Sequence, residues 1–443
     1  MTRGGAGPIS RRALLAGAGA AIGASALASP STGSRGRRPA PPGFLWGTAI
    51  SAHQSEGNNT NSDAWLAENI RPTLFRERSG DACDSYHRYA QDIEIAARLG
   101  LNCYRLGIEW SRIEPSEGQF SNAELDHYAR VLETCRTHGL APVVTFNHFT
   151  TPLWFAARGG FEVEDSPALF ARYCRRAADH LGGLMHLATT FNEANIQLLV
   201  RLLAPSDEAR AAVRAANEAA ARATGSPRFS RLAYADPEIV TPIMQEAHRQ
   251  GYRAIKAARP DLPVGLTLTT QDIQAATPDA PVARFRDRLY GSWPGVARSH
   301  ADFFGVQTYT RFRVDANGIV PPPPGAELTA SGYEFYPEAL VATIRWAHAT
   351  IGKPIYVTES GIATDDDRRR IAYIDRALDG VRQCLDEGIP VHSYLYWSLL
   401  DNFEWTSGYG VHFGLVAVDR STFRRTLKPS ALHFGALARA NRI

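Results

Sequence analysis

Residues 84–108 read DSYHRYAQDIEIAARLGLNCYRLGI, and the way this stretch divides decides the fold. Across Asp84–Leu99 the positions Tyr86, Tyr89, Ile93, Ala96 and Ala97 fall on one stripe of an amphipathic helix. Gly100 follows, able to take the left-handed conformation in which helices commonly stop. Cys103–Ile108 is then an apolar run broken by Arg105, as expected of a parallel strand covered on both faces. Helix, glycine stop and buried strand make one repeating unit.

The same alternation runs along the chain. The other strand candidates are Phe44–Ala49, Pro142–Phe146, Leu187–Phe191, Val264–Thr269, Phe303–Tyr309, Ile355–Thr358 and Ser393–Trp397. Eight strands separated by helical stretches predict an α/β chain folded as a single (β/α)8 TIM barrel over residues 41–443. A doubly wound sheet would also alternate, but no GxGxxG or GxxxxGK[ST] loop is present to receive a dinucleotide or phosphate. Two insertions stand out. Ala204–Ala223 is Ala-rich and opens on Ser206-Asp207-Glu208, a helix start signal, so an extra helix is expected beside the fourth strand at the rim of the pocket. Pro321–Pro324 with Gly325 predicts a rigid surface turn after strand six.

Composition narrows the partners. The formal net charge is +3, from 48 Lys+Arg against 45 Asp+Glu, which argues against nucleic acid. Basic residues cluster only near the start, at Arg11, Arg12, Arg35, Arg37 and Arg38. There Ser10-Arg11-Arg12 precedes the Ala/Gly-rich run Ala13–Ala28, which ends in the small-x-small pattern Ala26-Leu27-Ala28. Residues 1–40 therefore resemble a Tat export signal followed by a flexible linker, which predicts a secreted or periplasmic protein. That apolar run, roughly 16 residues, is shorter than the ~20 a membrane span requires, and no other segment is apolar enough. The five cysteines (Cys83, Cys103, Cys135, Cys174 and Cys384) are scattered and read as small buried hydrophobes, with at most one incidental disulfide. No Cys/His spacing fits zinc, and nothing requires a metal or cofactor. Oligomeric state is not legible.

In this architecture the site lies on the loops after the strands. The polar residues at those ends are Gln54, Arg105, Asn147-His148, Asn192-Glu193, Gln307 with Tyr309, Glu359, and Trp397 with Asn402, Glu404 and Trp405. A ring built only for stability would be Val, Ile and Leu. This one implies a ligand rich in hydroxyls. Trp46, Trp110 and Trp154 lie near the same ends and are read singly as core. Trp397 and Trp405 flank a carboxylate and read as platforms for sugar rings. Glycoside hydrolysis needs two carboxyl groups across the scissile bond. Glu193 closes strand four and Glu359 closes strand seven, so they can face one centre although 166 residues apart.

Longer motifs join these residues. They are Phe44-Leu45-Trp46-Gly47-Thr48-Ala49 with Gln54-Ser55-Glu56-Gly57, Tyr104–Ile113, Arg158-Gly159-Gly160-Phe161, Thr190-Phe191-Asn192-Glu193, Val357-Thr358-Glu359-Ser360-Gly361, Tyr396–Trp405, Gly408-Tyr409 and Phe413-Gly414-Leu415. Together and in this order they resemble glycoside hydrolase family 1, the β-glucosidase family, from Phe44 to Phe434. The resemblance implies a retaining β-glycosidase that hydrolyses terminal β-D-glucosides by double displacement through a covalent glycosyl-enzyme. It makes Glu193 the acid/base and Glu359 the nucleophile. Gln54, His148, Trp397 and Glu404 would hold the glycone hydroxyls, Arg105 and Asn192 would orient the nucleophile and the 2-hydroxyl, Tyr309 would hydrogen-bond Glu359, and Trp405 would complete the platform. The substrate would be a small-molecule or oligosaccharide β-glycoside.

Several positions leave the family pattern. Ala194 replaces Pro, which is expected to loosen the turn after the acid/base. Phe149 replaces Trp, Gln307-Thr308-Tyr309 replaces Asn-Tyr-Tyr, Ser360 replaces Asn, and Gly410-Val411-His412 replaces Ser-Lys-Arg. Galactose and fucose remain as glycones, and transglycosylation uses the same carboxylates. A 6-phospho-β-glycosidase would need a lysine here, and a silent sugar-binding barrel would typically lack one carboxylate.

Overall fold

The computed structural model describes residues 37–204 and 206–443. Ser10–Ala28, the stretch expected to be an export signal, lies outside them. Eight parallel strands close into a barrel. They are β1 (Leu45–Ala49), β2 (Cys103–Gly107), β3 (Ala141–Asn147), β4 (Leu187–Phe191), β5 (Val264–Thr269), β6 (Phe303–Gln307), β7 (Ile355–Ser360) and β8 (Val391–Trp397). Closure is the pairing of β1 with β8, from Leu45 opposite Ser393 to Ala49 opposite Trp397. All eight expected strands form, with ends shifted by up to two residues.

The interior is layered. Leu45, Cys103, Val143, Leu187, Phe303 and Leu395 make an apolar plug inside the barrel. Gly265 leaves room for it, since a Cβ there would sit 2.3 Å from the Phe303 ring. Above the plug, Thr145 and Thr189 hydrogen-bond across β3 and β4 at 3.1 Å. Arg105, Asn192 and Gln307 lie at the mouth end, all buried. Outside, one main helix follows each strand. The first, Ser85–Arg98, buries Ile93 and Ala96 as its stripe predicts, and Gly100 takes φ +87°. All five cysteines are buried and unpaired, so no disulfide forms. A small sheet of Asp272–Ala275, Arg311–Val314 and Ile319–Val320 supplements the barrel. No helix among the described residues is long and apolar enough to cross a membrane.

The segment after β4 departs from expectation. The Ala-rich helix forms as Asp207–Thr224, capped by Ser206, whose side chain accepts from the Ala209 N–H. It does not reach the cavity. That position belongs to a shorter helix, Ile196–Leu203, which the turn Glu193–Asn195 leads into directly.

Candidate active site

One cavity at the barrel mouth gathers Gln54, His148, Asn192, Glu193, Tyr309, Glu359, Trp397, Glu404 and Trp405. The remaining expected residue, Arg105, does not line it but lies buried against it, bonded to both Glu359 and Asn192.

Glu359 reaches this cavity by a local irregularity of β7. Ile355 and Val357 belong to the core cluster shared with the helices, and Thr358 lies beside Gly305 on the interior. Strict alternation would turn Glu359 outward again. Instead β7 advances two residues, Val357 to Glu359, while β6 advances one, Val306 to Gln307. The bulge re-aims the carboxylate inward. Both its oxygens are then held, Oε1 by the Arg105 guanidinium and Oε2 by the Tyr309 hydroxyl at 2.5 Å. Burial, and then the charges of Glu359, Glu193 and Glu404, push the Tyr309 hydroxyl well above its ordinary value, so it stays a donor.

Asn192 has a fixed orientation. Its Oδ1 accepts from Arg105 Nη2 at 2.5 Å and from Gln307 Nε2 at 2.8 Å. The longer amide of Gln307 thus spans the gap left by the missing asparagine. Gln54 is equally constrained: Oε1 accepts from Ser51 at 2.8 Å, while Nε2 donates to the Phe403 carbonyl at 2.9 Å and to Glu404 at 3.2 Å. His148 is buried, and burial followed by the charge of Arg105 lowers its pKa well below the usual imidazole value, so it is neutral. It stacks against Trp397 at 5.7 Å and Trp405 at 6.2 Å.

Glu193 takes φ +42°, and Phe149 and Trp405 on the same cavity take +74° and +43°. Such backbone is strained for residues with a Cβ and clusters at functional sites. The turn at Glu193 is not loosened by Ala194. The Glu193 N–H donates to Thr267 Oγ1 at 3.0 Å, and the Ala194 N–H, which a proline would lack, donates to the Thr267 carbonyl at 3.0 Å.

The other departures find partners as well. Phe149 tilts against Trp405 at 5.4 Å, and the Ser360 hydroxyl meets Tyr373 at 3.2 Å. His412 pairs with Asp365 at 2.6 Å, and Val411 packs with Trp397 and Phe413. Asn147 braces the turn that presents Phe149, and Asn402 lies 3.4 Å from Gln54. Trp46, Trp110 and Trp154 stay outside the cavity, with indoles bonded to Asn441, Glu114 and the Glu114 carbonyl.

Sequence reading missed the rest of the lining: Ile196, Leu199, Val200 and Leu203 on one side, with Thr269, Gln271, Thr310, Phe312, Tyr333 and Phe413 elsewhere. The first four follow i, i+3, i+4, i+7 spacing, a signal that was present. Gln271 lies on a loop and carried none.

A parallel eight-stranded barrel whose mouth gathers Glu193, Glu359 and Glu404 with two tryptophans and the amides of Gln54 and Asn192 is the arrangement of an O-glycosyl hydrolase. The sequence profile of glycosyl hydrolase family 1 matches residues 37–229 and 300–443. Among solved structures, the apo form of a β-glucosidase designated 1317 is 50% identical with a TM-score of 0.87, covering 90% of this chain and 98% of that one. β-Glycosidase BGL167 is 46% identical with a TM-score of 0.85, covering 91% and 98%. Thermostable beta-glucosidase B of Thermobispora bispora is 30% identical over 90% of this chain and 91% of its own. The chain belongs to glycosyl hydrolase family 1 and is a retaining β-glycosidase.

Proposed function

We propose that the enzyme removes terminal β-D-glucosyl groups, with Glu359 as nucleophile and Glu193 as acid/base. The observation that carries this reading is the double hold of Arg105 and Tyr309 on Glu359, in a cavity that also contains Glu193. Glu359 attacks the anomeric carbon as the bond to the leaving oxygen breaks, and Glu193 gives that oxygen its proton. Water then enters. Glu193 takes a proton from it, the resulting hydroxide displaces Glu359, and the sugar leaves with its configuration retained.

The remaining residues divide between sugar and nucleophile. Asn192, with Oδ1 occupied twice, keeps Nδ2 for the substrate 2-hydroxyl. Gln54, Glu404 and neutral His148 receive the other glycone hydroxyls over Trp397 and Trp405. Among the described residues that line the cavity there is no Lys or Arg, which speaks against a 6-phosphosugar. A panel of p-nitrophenyl glycosides tests the glycone. The expected order of kcat/KM places β-glucoside first, with β-galactoside and β-fucoside below it. A leading galactoside would replace the glucoside assignment.

The same reading extends to location. The Arg11-Arg12 pair before Ala13–Ala28 supports export by the Tat route. Replacing both arginines with lysine is expected to leave the protein inside the cell on fractionation.

A further inference from the structure

The helix that opens three residues after Glu193, Ile196–Leu203, has the sequence IQLLVRLL. Ile196, Leu199, Val200 and Leu203 form one stripe and line the catalytic cavity. Leu198 and Leu202 lie off that stripe; they pack against the core, which Ile196, Leu199 and Leu203 also touch from the cavity side. Burial tells floor from mouth. Gln54, His148, Asn192 and Trp397 are buried, whereas Ile196, Val200, Leu203, Phe149 and Tyr333 on the same cavity are only half-buried. The polar groups suited to a glycone therefore lie mostly deep, and apart from the hydroxyls of Tyr309 and Tyr333 the outer wall is largely hydrocarbon.

What occupies that wall follows from the chemistry. Assigning Glu193 as the acid, the reading on which this inference rests, puts its carboxyl on the leaving oxygen. Whatever that oxygen carries must extend outward past the helix that follows Glu193. A second sugar would bring a ring of hydroxyls against four aliphatic side chains that offer no hydrogen bond, and buried hydroxyls without partners weaken binding. An alkyl or aryl group would instead remove the same side chains from water.

We propose that the preferred leaving group is an apolar alkyl or aryl aglycone seated along Ile196, Leu199, Val200 and Leu203, rather than another sugar. The test is a series of alkyl β-glycosides from methyl to octyl, together with the corresponding disaccharide, all on the glycone that the p-nitrophenyl panel selects. An error in the glucoside assignment thus leaves the test intact. The expected result is that kcat/KM rises about two- to fourfold per methylene until the chain outruns the wall. The disaccharide is expected about tenfold or more below the octyl glycoside. In Val200→Asn and Leu203→Asn the octyl-to-methyl ratio is expected to shrink by about tenfold. Because the ratio is taken within each variant, a lower folded fraction cancels. A flat series, or a disaccharide equal to the octyl glycoside, overturns the aglycone assignment while the glycosidase reading stands. Cleavage of nothing in the p-nitrophenyl panel removes that reading and this inference with it.

Discussion

Thr267 holds the backbone of Glu193 from both of its polar groups. Its hydroxyl accepts from the Glu193 N–H and donates to the Phe191 carbonyl at 3.0 Å, and its own carbonyl accepts from Ala194. With Glu193 at φ +42°, these bonds offset a conformation the residue would not choose. Thr267→Val keeps the shape in the strand but leaves the Glu193 N–H buried without a partner, at a cost of about 1–3 kcal/mol. Because the loss falls on the residue proposed to deliver the proton, kcat is expected to fall about tenfold with KM little changed. Steady-state kinetics beside a thermal melt checks this, and an unaltered kcat would remove Thr267 from the argument. Glu193→Gln tests the acid itself. On an alkyl glycoside the rate is expected to drop about 10²–10⁴-fold. On a 2,4-dinitrophenyl glycoside, whose leaving group needs no proton, the bond-breaking step should be nearly spared. Equal losses on the two substrates would count against Glu193 as acid. The glutamates, amides and tryptophans of the site were legible because polar residues at the ends of buried strands have few structural reasons to be there. Thr267 was not, since a β-branched residue inside a strand reads as ordinary strand filler. For the same reason the consequence of Ala194 was misread: its effect depends on an acceptor 73 residues away.

The bulge in β7 shows what periodicity leaves out. A period of two places Tyr356 and Thr358 on one face and gives no hint that Glu359 joins them. The extra step becomes visible only when β7 is set against β6. The helices after β4 show a related limit. The composition of Ala204–Ala223 and the start signal at Ser206 predict a helix, and Asp207–Thr224 is one, ended by Gly225 at φ +65°. Which helix lines the cavity is a question of packing, settled by chain length. Only two residues separate Glu193 from Ile196, so the short apolar helix takes the place at the rim. The longer helix packs instead near Asp63–Asn69, with Ala220 in a small cluster beside Ala156 and Phe229. Ser206→Ala removes the side chain that receives the Ala209 N–H and is expected to cost about 1 kcal/mol. Hydrogen exchange should quicken across the first turn of that helix while kcat/KM holds. A matching fall in kcat/KM would mean that the helix contacts substrate after all.

At the scale of the molecule, the barrel is tied to its outer ring by buried polar contacts as well as by apolar packing. Asp92 in the first helix and Arg425 in the hairpin strand Arg425–Leu427 form a two-pronged pair at 2.8 and 3.0 Å, both side chains almost fully buried. Near the chain ends, Arg38 and Ile443 exchange backbone hydrogen bonds at 2.9 Å. His248 joins three elements. It lies in helix Pro237–Ala258, its Nε2 donates to the His300 carbonyl at 2.7 Å, and its Nδ1 accepts from Thr190 of β4 at 2.7 Å. This arrangement is that of the neutral ring, with Nε2 donating and Nδ1 accepting. Burial lowers its pKa to about 4, the His300 carbonyl partly opposing and the charges of His300 and Arg249 adding to the effect. An unfolded chain would protonate the same residue near pH 6.5. Between pH 6.5 and 4 the unfolded state thus binds a proton that the folded state refuses, and stability falls as pH falls through that window. At pH 5 the share of this one residue is about 2 kcal/mol. His248→Gln keeps a polar side chain that does not titrate, so it should lower stability at pH 7.5 yet lose less on acidification. Urea unfolding of both proteins at pH 7.5 and pH 5.0 measures the difference, and every other titrating group contributes equally to the two and drops out. The wild type is expected to lose about 2 kcal/mol more than the variant between the two pH values. Equal losses would show that His248 accepts its proton in the folded barrel, and would break the link between its hydrogen bonds and the acid limit of the fold.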